Sequence, residues 1–327
     1  MNEYITRRLV NNKVKYYNYY SHDNKVIKNK QLLETLHKIY IPPAYKDVKI
    51  FLEKELLATG VDDAGRKQYI YSDFSKKKRE TKKYNQLLKL SENIVNLKKK
   101  INNDLLLKDF EKDKIIALIL KIMDICNFRC GNKTYEKKYG SHGLTTLHKK
   151  HFLIKSKQIE IDFIGKKGVI NNCIIKDKKV ETIIKKMYKL SNKKDDYIFS
   201  VKNNDGNDVS INIQDVNNYL EKFNVTSKDL RTWNANIIFL KNFKTHIDNS
   251  ITRDYFNLDN IKKLKFKKKL VKDAIKDTAI SLHHTPFVCK NSYIYKNILL
   301  SIEKDDTIIN KLIHKNIIFE DFLKKLL

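Results

Sequence analysis

The sequence predicts an α+β protein in which a small antiparallel β domain precedes a larger, mostly helical domain. Up to about residue 75, short aromatic or apolar stretches alternate with turn signals. Beyond that point, apolar residues recur mainly at helical spacing. One clear β-hairpin interrupts the helical part. We therefore predict two domains, residues 1–75 and residues 76–327, which meet at the basic stretch 76–80.

Three segments of the first domain have the composition of strands. They are the aromatic-rich residues 14–20, the apolar residues 48–51 and the alternating residues 68–71. Turn signals built from proline, glycine and aspartate separate them, at residues 41–43, 60–63 and 64–65. A short helix is predicted over residues 29–38.

In the second domain, apolar periodicity predicts helices around residues 87–97 and 106–123. Residues 159–163 and 169–175 form the strands of the predicted hairpin, and residues 165–168 form its turn. A further helix begins at Ser227, where Thr226 and Asp229 have the spacing of a capping box. Residues 298–327 have an amphipathic helical pattern.

The charge of the chain predicts a polyanionic partner. The 327 residues include 67 Lys and Arg against 38 Asp and Glu, a net charge of +29. Nucleic acid is the first candidate and an acidic membrane surface the second. The longest apolar run, residues 115–120, is far shorter than the roughly 20 residues that span a bilayer. Residues 1–8 lack the apolar core of a signal peptide, so no secretion is expected.

Motif patterns exclude several other chemistries. The four cysteines are expected to be free thiols in a reducing compartment. No Cys-x-x-Cys, Asp-x-Asp, His-x-His or Glu-x-x-His pattern has convincing ligand spacing, so no metal is expected. The phosphate-binding loop of ATP hydrolases is also missing from the sequence, so no cofactor is predicted.

Four segments attract attention, although each has an ordinary structural explanation when taken alone. Arg129 could lie at a helix C-terminus that Gly131 ends. Lys166, at the hairpin tip, could simply be solvated. Arg231 could pair with Asp229 or lie exposed in the first helical turn, and the histidine at position 284 could be a buried core residue.

Taken together, these side chains form a set suited to phosphodiester transesterification. Tyr293 supplies a phenol oxygen as the nucleophile. Arg129 and Arg231 can hold the nonbridging oxygens as negative charge builds on phosphorus, and His284 can donate a hydrogen bond to one of them. Lys166 can protonate the departing 5′-oxygen as a general acid. This chemistry needs no metal.

Several short segments carry a further pattern, in order along most of the chain from about residue 40 to Tyr293. They are residues 41–48, 57–60, 62–71, 129–132, 140–147, 163–166, 228–232 and 284–286. In this order they resemble the poxvirus-type type IB DNA topoisomerases of poxviruses and giant DNA viruses, which belong to the tyrosine recombinase and topoisomerase IB superfamily.

The resemblance implies roles for individual residues. Tyr293 would form a covalent 3′-phosphotyrosyl bond, Arg129 and Arg231 would stabilise the transition state, and His284 would contact the scissile phosphate. Lys166 would be the general acid, with Lys167 as the alternative.

The resemblance also implies how DNA is bound. Gln68, Tyr69 and Tyr71 match positions that look like DNA contacts in the β domain. Lys133 and Tyr135 lie on a segment that resembles the helix that docks in the major groove.

At the level of the whole protein, the resemblance implies a monomer that closes as a C-shaped clamp around double-stranded DNA. It would relax supercoils by transient nicking, strand rotation and religation, without ATP, metal or other cofactor. The family also implies a location in the virion and in the host cytoplasm, without membrane association.

Two alternatives stay open at this point. A tyrosine recombinase uses nearly the same residues, although it usually has His-x-x-Arg where this chain has Lys228-x-x-Arg231. Recombinases also lack the segment at residues 41–45 and assemble as tetramers. A non-enzymatic, basic DNA-packaging protein would explain the charge, but it would not need Tyr293 or the hairpin lysine.

Overall fold

The computed structural model describes residues 4–11, 13–14, 16–52, 55–190, 193–251, 253–313 and 317–327. The strands are β1 (Ile5–Asn11), β2 (Tyr16–Tyr20), β3 (Lys46–Ile50), β4 (Leu56–Val61), β5 (Lys67–Tyr71), β6 (Phe152–Ile154), β7 (Ile159–Ile164), β8 (Ile170–Ile175), β9 (Ser200–Lys202) and β10 (Asp208–Ser210). The helices are α1 (Lys30–His37), α2 (Asp73–Asp104), α3 (Lys112–Cys126), α4 (Lys133–Tyr139), α5 (Lys178–Leu190), α6 (Ile213–Glu221), α7 (Ser227–Ser250), α8 (Arg253–Phe256), α9 (Asn260–Ser281), α10 (Pro286–Ser292), α11 (Lys296–Lys304), α12 (Thr307–Ile313) and α13 (Phe319–Leu326).

The α+β prediction is confirmed, and the chain divides into two compact units, residues 1–83 and 84–327. The boundary predicted after residue 75 falls inside α2 instead of in a linker. The basic stretch 76–80 is therefore helical. Lysine and arginine are good helix formers, so a run of them does not by itself mark a break.

The N-terminal unit is a five-stranded antiparallel sheet in the order β2-β1-β3-β4-β5. Its small core is formed by Ile5, Tyr19, Leu36, Ile41, Val48, Ile50 and Ala58. The predicted helix is α1, which Asn29 caps by accepting a hydrogen bond from the Leu32 amide. The predicted strands correspond to β2, β3 and β5. Residue 15, inside the predicted first strand, lies outside the described residues.

Two strands of this sheet, β1 and β4, were not predicted from the sequence. β1 is buried only at its first residue and is exposed from Arg8 onward, so it shows no apolar alternation. β4 contains Gly60 and Val61, which were assigned to a turn. Gly60 is instead a position of close approach, because a Cβ there would lie 3.1 Å from Tyr45. The turn begins two residues later, at Asp62, and Gly65 adopts the required positive φ.

The C-terminal unit has one continuous core in which α2, α3, α7 and α9 bury most of their apolar faces. Trp233, Phe239 and Phe243 of α7 are fully buried. The predicted capping box at the start of α7 is present, with Asp229 accepting from Thr226. The predicted hairpin is β7 and β8, to which the three-residue strand β6 adds a third member. None of the described helices is long and apolar enough to cross a membrane.

The segment before Arg129 differs from the expected helix C-terminus. α3 ends at Cys126, and Asn127 caps it in the left-handed conformation with φ 55°. Asparagine tolerates this conformation because its short polar side chain bonds locally. Gly131 is therefore not the helix cap, and Arg129 lies beyond the helix in a connection without regular secondary structure.

The expectation of four free thiols is wrong. Cys126, at the end of α3, forms a disulfide with Cys173 of β8, whereas Cys130 and Cys289 form no disulfide among the described residues. The two bonded residues are 47 apart in sequence, so spacing could not reveal that the helix end meets this strand. The bond joins the chain that leads into Arg129 to the hairpin that presents Lys166.

Reducing this disulfide is expected to destabilise the C-terminal unit. Opening a loop of 47 residues restores chain entropy to the unfolded state, worth about 4 kcal/mol in the loop-closure model. The urea midpoint of the wild-type chain should fall when dithiothreitol is added. The double variant Cys126→Ser/Cys173→Ser should start at the lower midpoint and be insensitive to the reductant. An unchanged wild-type midpoint would contradict a stabilising bond.

Candidate active site

The loop at residues 143–145 packs against the backbone around Arg129 and fixes its conformation. The Arg129 carbonyl accepts from the Leu144 amide at 2.9 Å, and the Gly131 amide donates to the Thr145 hydroxyl at 3.1 Å. A Cβ at Gly143 would lie 2.7 Å from the Arg129 carbonyl oxygen. Glycine is therefore required at position 143, and the two loops hold the Arg129 segment in one conformation.

Arg231 lies in the first turn of α7 and is 4% exposed. Its Nη2 donates to the Leu282 carbonyl at 2.5 Å, and its Nε donates to the Tyr293 hydroxyl at 3.4 Å. Asp229 is occupied by the capping bonds, so the predicted alternative of an Arg231–Asp229 pair is wrong. Within the described ranges, Nη1 of Arg231 is buried without a partner. Burial lowers the pKa of Arg231, and an adjacent anion would offset that cost.

Tyr293 is the C-cap residue of α10 and is 6% exposed. Its ring is stacked on His284 with centroids 4.9 Å apart. The guanidinium carbons of Arg231 and Arg129 lie 5.3 and 5.7 Å from the ring centroid. The tyrosine is therefore surrounded by two cations and an imidazole.

His284 is a half-buried histidine whose ring nitrogens are unsatisfied. Both of its ring nitrogens are buried and have no partner in the described part of the chain. Burial, followed by the charges of Arg231 and Arg129, lowers its pKa from 6.5 to about 4. The ring is therefore neutral at pH 7 and has one N–H to donate. This differs from a satisfied core histidine, the ordinary explanation considered from sequence.

Lys166 is presented by the short 3₁₀ turn between β7 and β8. A Cβ at Gly165 would lie 2.3 Å from the Asn171 amide, which closes the base of the turn. Partial desolvation and then the charge of Arg129 lower the pKa of Lys166, whereas the interaction with Tyr293 raises it. Its Nζ lies 6.0 Å from the Tyr135 ring centroid. These interactions couple Lys166 electrostatically to Arg129 and Tyr293.

Sequence reasoning missed Asn236, which holds the backbone on both sides of Ile294. Its side-chain amide is fully buried and donates to the carbonyls of Thr232 and Tyr293, at 2.7 and 2.9 Å. Its oxygen accepts from the Tyr295 amide at 2.8 Å. The available signal was a lone amide on the apolar face of α7, one turn before Leu240.

Replacing Asn236 by alanine is expected to misplace Tyr293 and to destabilise the fold by about 1–3 kcal/mol, because buried backbone groups lose their partners. Single-turnover cleavage should slow, while the covalent adduct still forms at long times. Asn242→Ala is the matched control, because Asn242 lies on the same helix and bonds only to Thr278 in the described contacts. Equal cleavage by the two variants would argue against a positioning role.

The five predicted DNA contacts fall into two groups. Tyr69 and Tyr71 lie on β5 with rings 6.3 Å apart, and Arg79 lies 3.5 Å over Tyr71. Gln68 lies on the other face of that strand and donates to Asp62. These three belong to the N-terminal unit. In the C-terminal unit, Lys133 and Tyr135 lie on α4, with Tyr135 half exposed and near Lys166.

Comparison with known proteins agrees with this geometry. Residues 72–315 match the family model of the eukaryotic DNA topoisomerase I catalytic core. A DNA topoisomerase 1B of Acanthamoeba polyphaga mimivirus is 30% identical over 322 residues, covering 96% of this chain and 91% of the relative. DNA topoisomerase 1 of rabbit fibroma virus is 26% identical, covering 89% and 87% of the two chains. DNA topoisomerase 1B of vaccinia virus is 26% identical, covering 84% and 83%.

These matches extend over both units and favour neither a recombinase nor a packaging protein. They show that the chain is an enzyme that acts on DNA. The chain belongs to the viral type IB DNA topoisomerases.

Proposed function

We propose that Tyr293 attacks one phosphodiester of duplex DNA and forms a 3′-phosphotyrosyl bond while a 5′-hydroxyl leaves. The observation that supports this is the pairing of a buried tyrosine with buried, unpartnered donors on Arg231 and His284. Buried donors without partners are costly, so they indicate a ligand that satisfies them. A phosphate with two nonbridging oxygens fits donors of this kind.

In this mechanism, the charges around Tyr293 stabilise the transition state. Arg129 and Arg231 bind the nonbridging oxygens, and neutral His284 donates its N–H to one of them. Preorganised donors of this kind are each worth roughly 3–4 kcal/mol in comparable sites. The two guanidiniums also stabilise the negative charge that passes from the Tyr293 oxygen to the phosphate in the transition state.

Lys166 is proposed to protonate the departing 5′-oxygen. Its lowered pKa weakens its hold on the proton, which suits a general acid. The phosphotyrosyl bond replaces the phosphodiester at similar energy, so the 5′-hydroxyl can attack it and reseal the strand without ATP. Between the two steps, torque in the DNA turns the free end and removes supercoils.

Binding is proposed to use the basic surface and the two groups of contacts described above. Gln68, Tyr69 and Tyr71 would touch DNA from the N-terminal unit, and Lys133 and Tyr135 from α4. We propose a monomer closed around duplex DNA, acting in the virion and in the host cytoplasm. Binding should weaken with salt, with a slope of roughly −0.9 per phosphate neutralised.

The low pKa of His284 predicts a specific acid sensitivity. Its pKa is about 4 in the folded protein and ordinarily 6.5, so only the unfolded chain is protonated between these values. Stability is therefore lost as pH falls from 6.5 towards 4, on the order of 3 kcal/mol for this group. Urea midpoints at pH 7.5 and 4.5 should differ less in His284→Gln than in wild type. Equal differences would contradict a neutral buried His284.

Relaxation of supercoiled plasmid in EDTA without ATP tests the proposed function. Relaxed circles should accumulate, and a denaturing gel of labelled duplex should show protein attached to the 3′ end of the cut strand. A recombinase would instead need paired sites and exchange strands. Wild-type protein that gives neither relaxed plasmid nor adduct would refute the proposed mechanism.

A further inference from the structure

We propose that Glu136, His142 and His148 bind a zinc ion that fastens α4 to the body of the C-terminal unit. One ring nitrogen of each histidine and one carboxylate oxygen of Glu136 lie within 4.8 Å of one another. Donor atoms around one zinc lie about 3.3 Å apart, a spacing that small side-chain rotations would reach here. The three side chains are only 12–15% exposed.

The hydrogen bonds of His148 leave a nitrogen lone pair directed at a carboxylate. Its Nδ1 bonds to the Asp195 carbonyl at 2.6 Å, and a carbonyl can only accept, so Nδ1 carries the proton. Nε2 then lies 2.5 Å from Glu136 Oε1. A separation of 2.5 Å leaves no room for an ion between these two atoms, so zinc binding would move them apart to about 3.3 Å.

The surrounding bonds match the outer shell of a metal site. Metal-binding histidines usually donate the remaining N–H to a carbonyl, as His148 does. His142 lies beside the same carboxylate, with its Nδ1 3.5 Å from Glu136 Oε1 and 2.9 Å from the Thr146 carbonyl. Its ring would turn on zinc binding, so that a nitrogen not engaged by Thr146 faces the ion. The Tyr197 hydroxyl donates to the second oxygen of Glu136 at 2.8 Å and so orients the carboxylate.

The donor set points to zinc and not to a hard cation. Two imidazoles and one carboxylate suit zinc, whereas magnesium and calcium take oxygen ligands. Across the described ranges, no lysine or arginine forms an ion pair with Glu136, so its charge is left for the histidines and the ion. The three residues are six apart in sequence, outside the usual zinc spacings, and so the sequence pattern gave no metal.

The site joins α4, which carries Glu136, to neighbouring segments of the C-terminal unit. α4 has seven residues and buries none of them, so its own packing does little to hold it. Glu136 attaches the helix to His148 and to Tyr197. An ion at Glu136 would fix the helix that presents Lys133 and Tyr135. The role of Lys133 and Tyr135 as DNA contacts rests on the proposed function, whereas zinc binding itself does not.

The test uses the full chain, stripped with a chelator and titrated with zinc alone. We expect one zinc per chain, and at least tenfold weaker binding by Glu136→Gln and by His142→Gln. His246→Gln is the matched control, because His246 of α7 forms a similar pair with Asp277 of α9 and has no third ligand among the residues that the structure describes. Its zinc affinity should equal that of wild type.

Hydrogen exchange supplies a readout that does not depend on DNA cleavage. Zinc should slow exchange of the α4 amides in wild type and in His246→Gln, but not in His142→Gln. Wild type and His142→Gln binding zinc equally would overturn the proposal and leave only the His148–Glu136 hydrogen bond. Zinc binding without any change in α4 exchange would overturn the fastening role. If wild-type protein bound zinc but failed to relax plasmid, that result would count against the proposed function and leave the zinc site standing.

Discussion

Replacing Tyr293 by phenylalanine is expected to abolish both the covalent adduct and plasmid relaxation. The substitution removes one oxygen atom, the proposed nucleophile, and keeps the ring that stacks on His284. Without that oxygen no phosphotyrosyl bond can form, so activity should fall below detection. DNA binding should persist, because the arginines are untouched. Labelled duplex on denaturing and native gels would measure the two properties separately.

Tyr295→Phe is the matched control for this experiment. Tyr295 lies two residues further on, and its ring stacks on Tyr84 with centroids 5.0 Å apart, a contact that phenylalanine keeps. We expect this variant to form the adduct at nearly the wild-type rate. Adduct formation by Tyr293→Phe, or its loss in Tyr295→Phe alone, would transfer the nucleophilic role to another residue.

Replacing Lys166 by alanine should produce the second largest effect. Loss of a general acid slows proton transfer by roughly 10²–10⁴-fold, so cleavage of ordinary DNA should fall by that factor. A substrate with sulfur at the 5′ bridging position leaves as a thiolate and needs no proton. The variant should therefore cleave the sulfur substrate at close to the wild-type rate in a single-turnover assay.

Lys167→Ala separates the two adjacent lysines. Lys167 has a positive φ of 65° and occupies the middle of the turn. The pKa of Lys166, by contrast, responds to both Arg129 and Tyr293. Lys167→Ala should cleave both substrates normally. Failure of sulfur to restore Lys166→Ala, or a sulfur-rescued defect in Lys167→Ala, would remove Lys166 from the acid role.

Features decided by neighbouring residues could be predicted from the sequence. The short helix α1, the capping box of Thr226 and Asp229, and the β7–β8 hairpin all depend on a few consecutive positions. Strands without apolar alternation were missed, because β1 is largely exposed and β4 contains a glycine.

Features decided by long-range packing could not be predicted from the sequence. The Cys126–Cys173 bond joins residues that no local pattern connects. Asn236 matters only because α10 brings Tyr293 against α7. For the active site, the order of residues predicted the chemistry, and the structure adds their proximity. The burial of Arg231 and the low pKa of His284 could be learned only from that packing.

The distribution of the site along the chain limits when this enzyme can cut DNA. Arg129, Lys166, Arg231 and Tyr293 come from four separate segments, and Asn236 bonds the last of these to α7. A growing polypeptide on the ribosome therefore lacks the proposed nucleophile next to its arginines until the segment after α9 has emerged and packed. A chain truncated before Tyr293 is accordingly expected to leave DNA uncut.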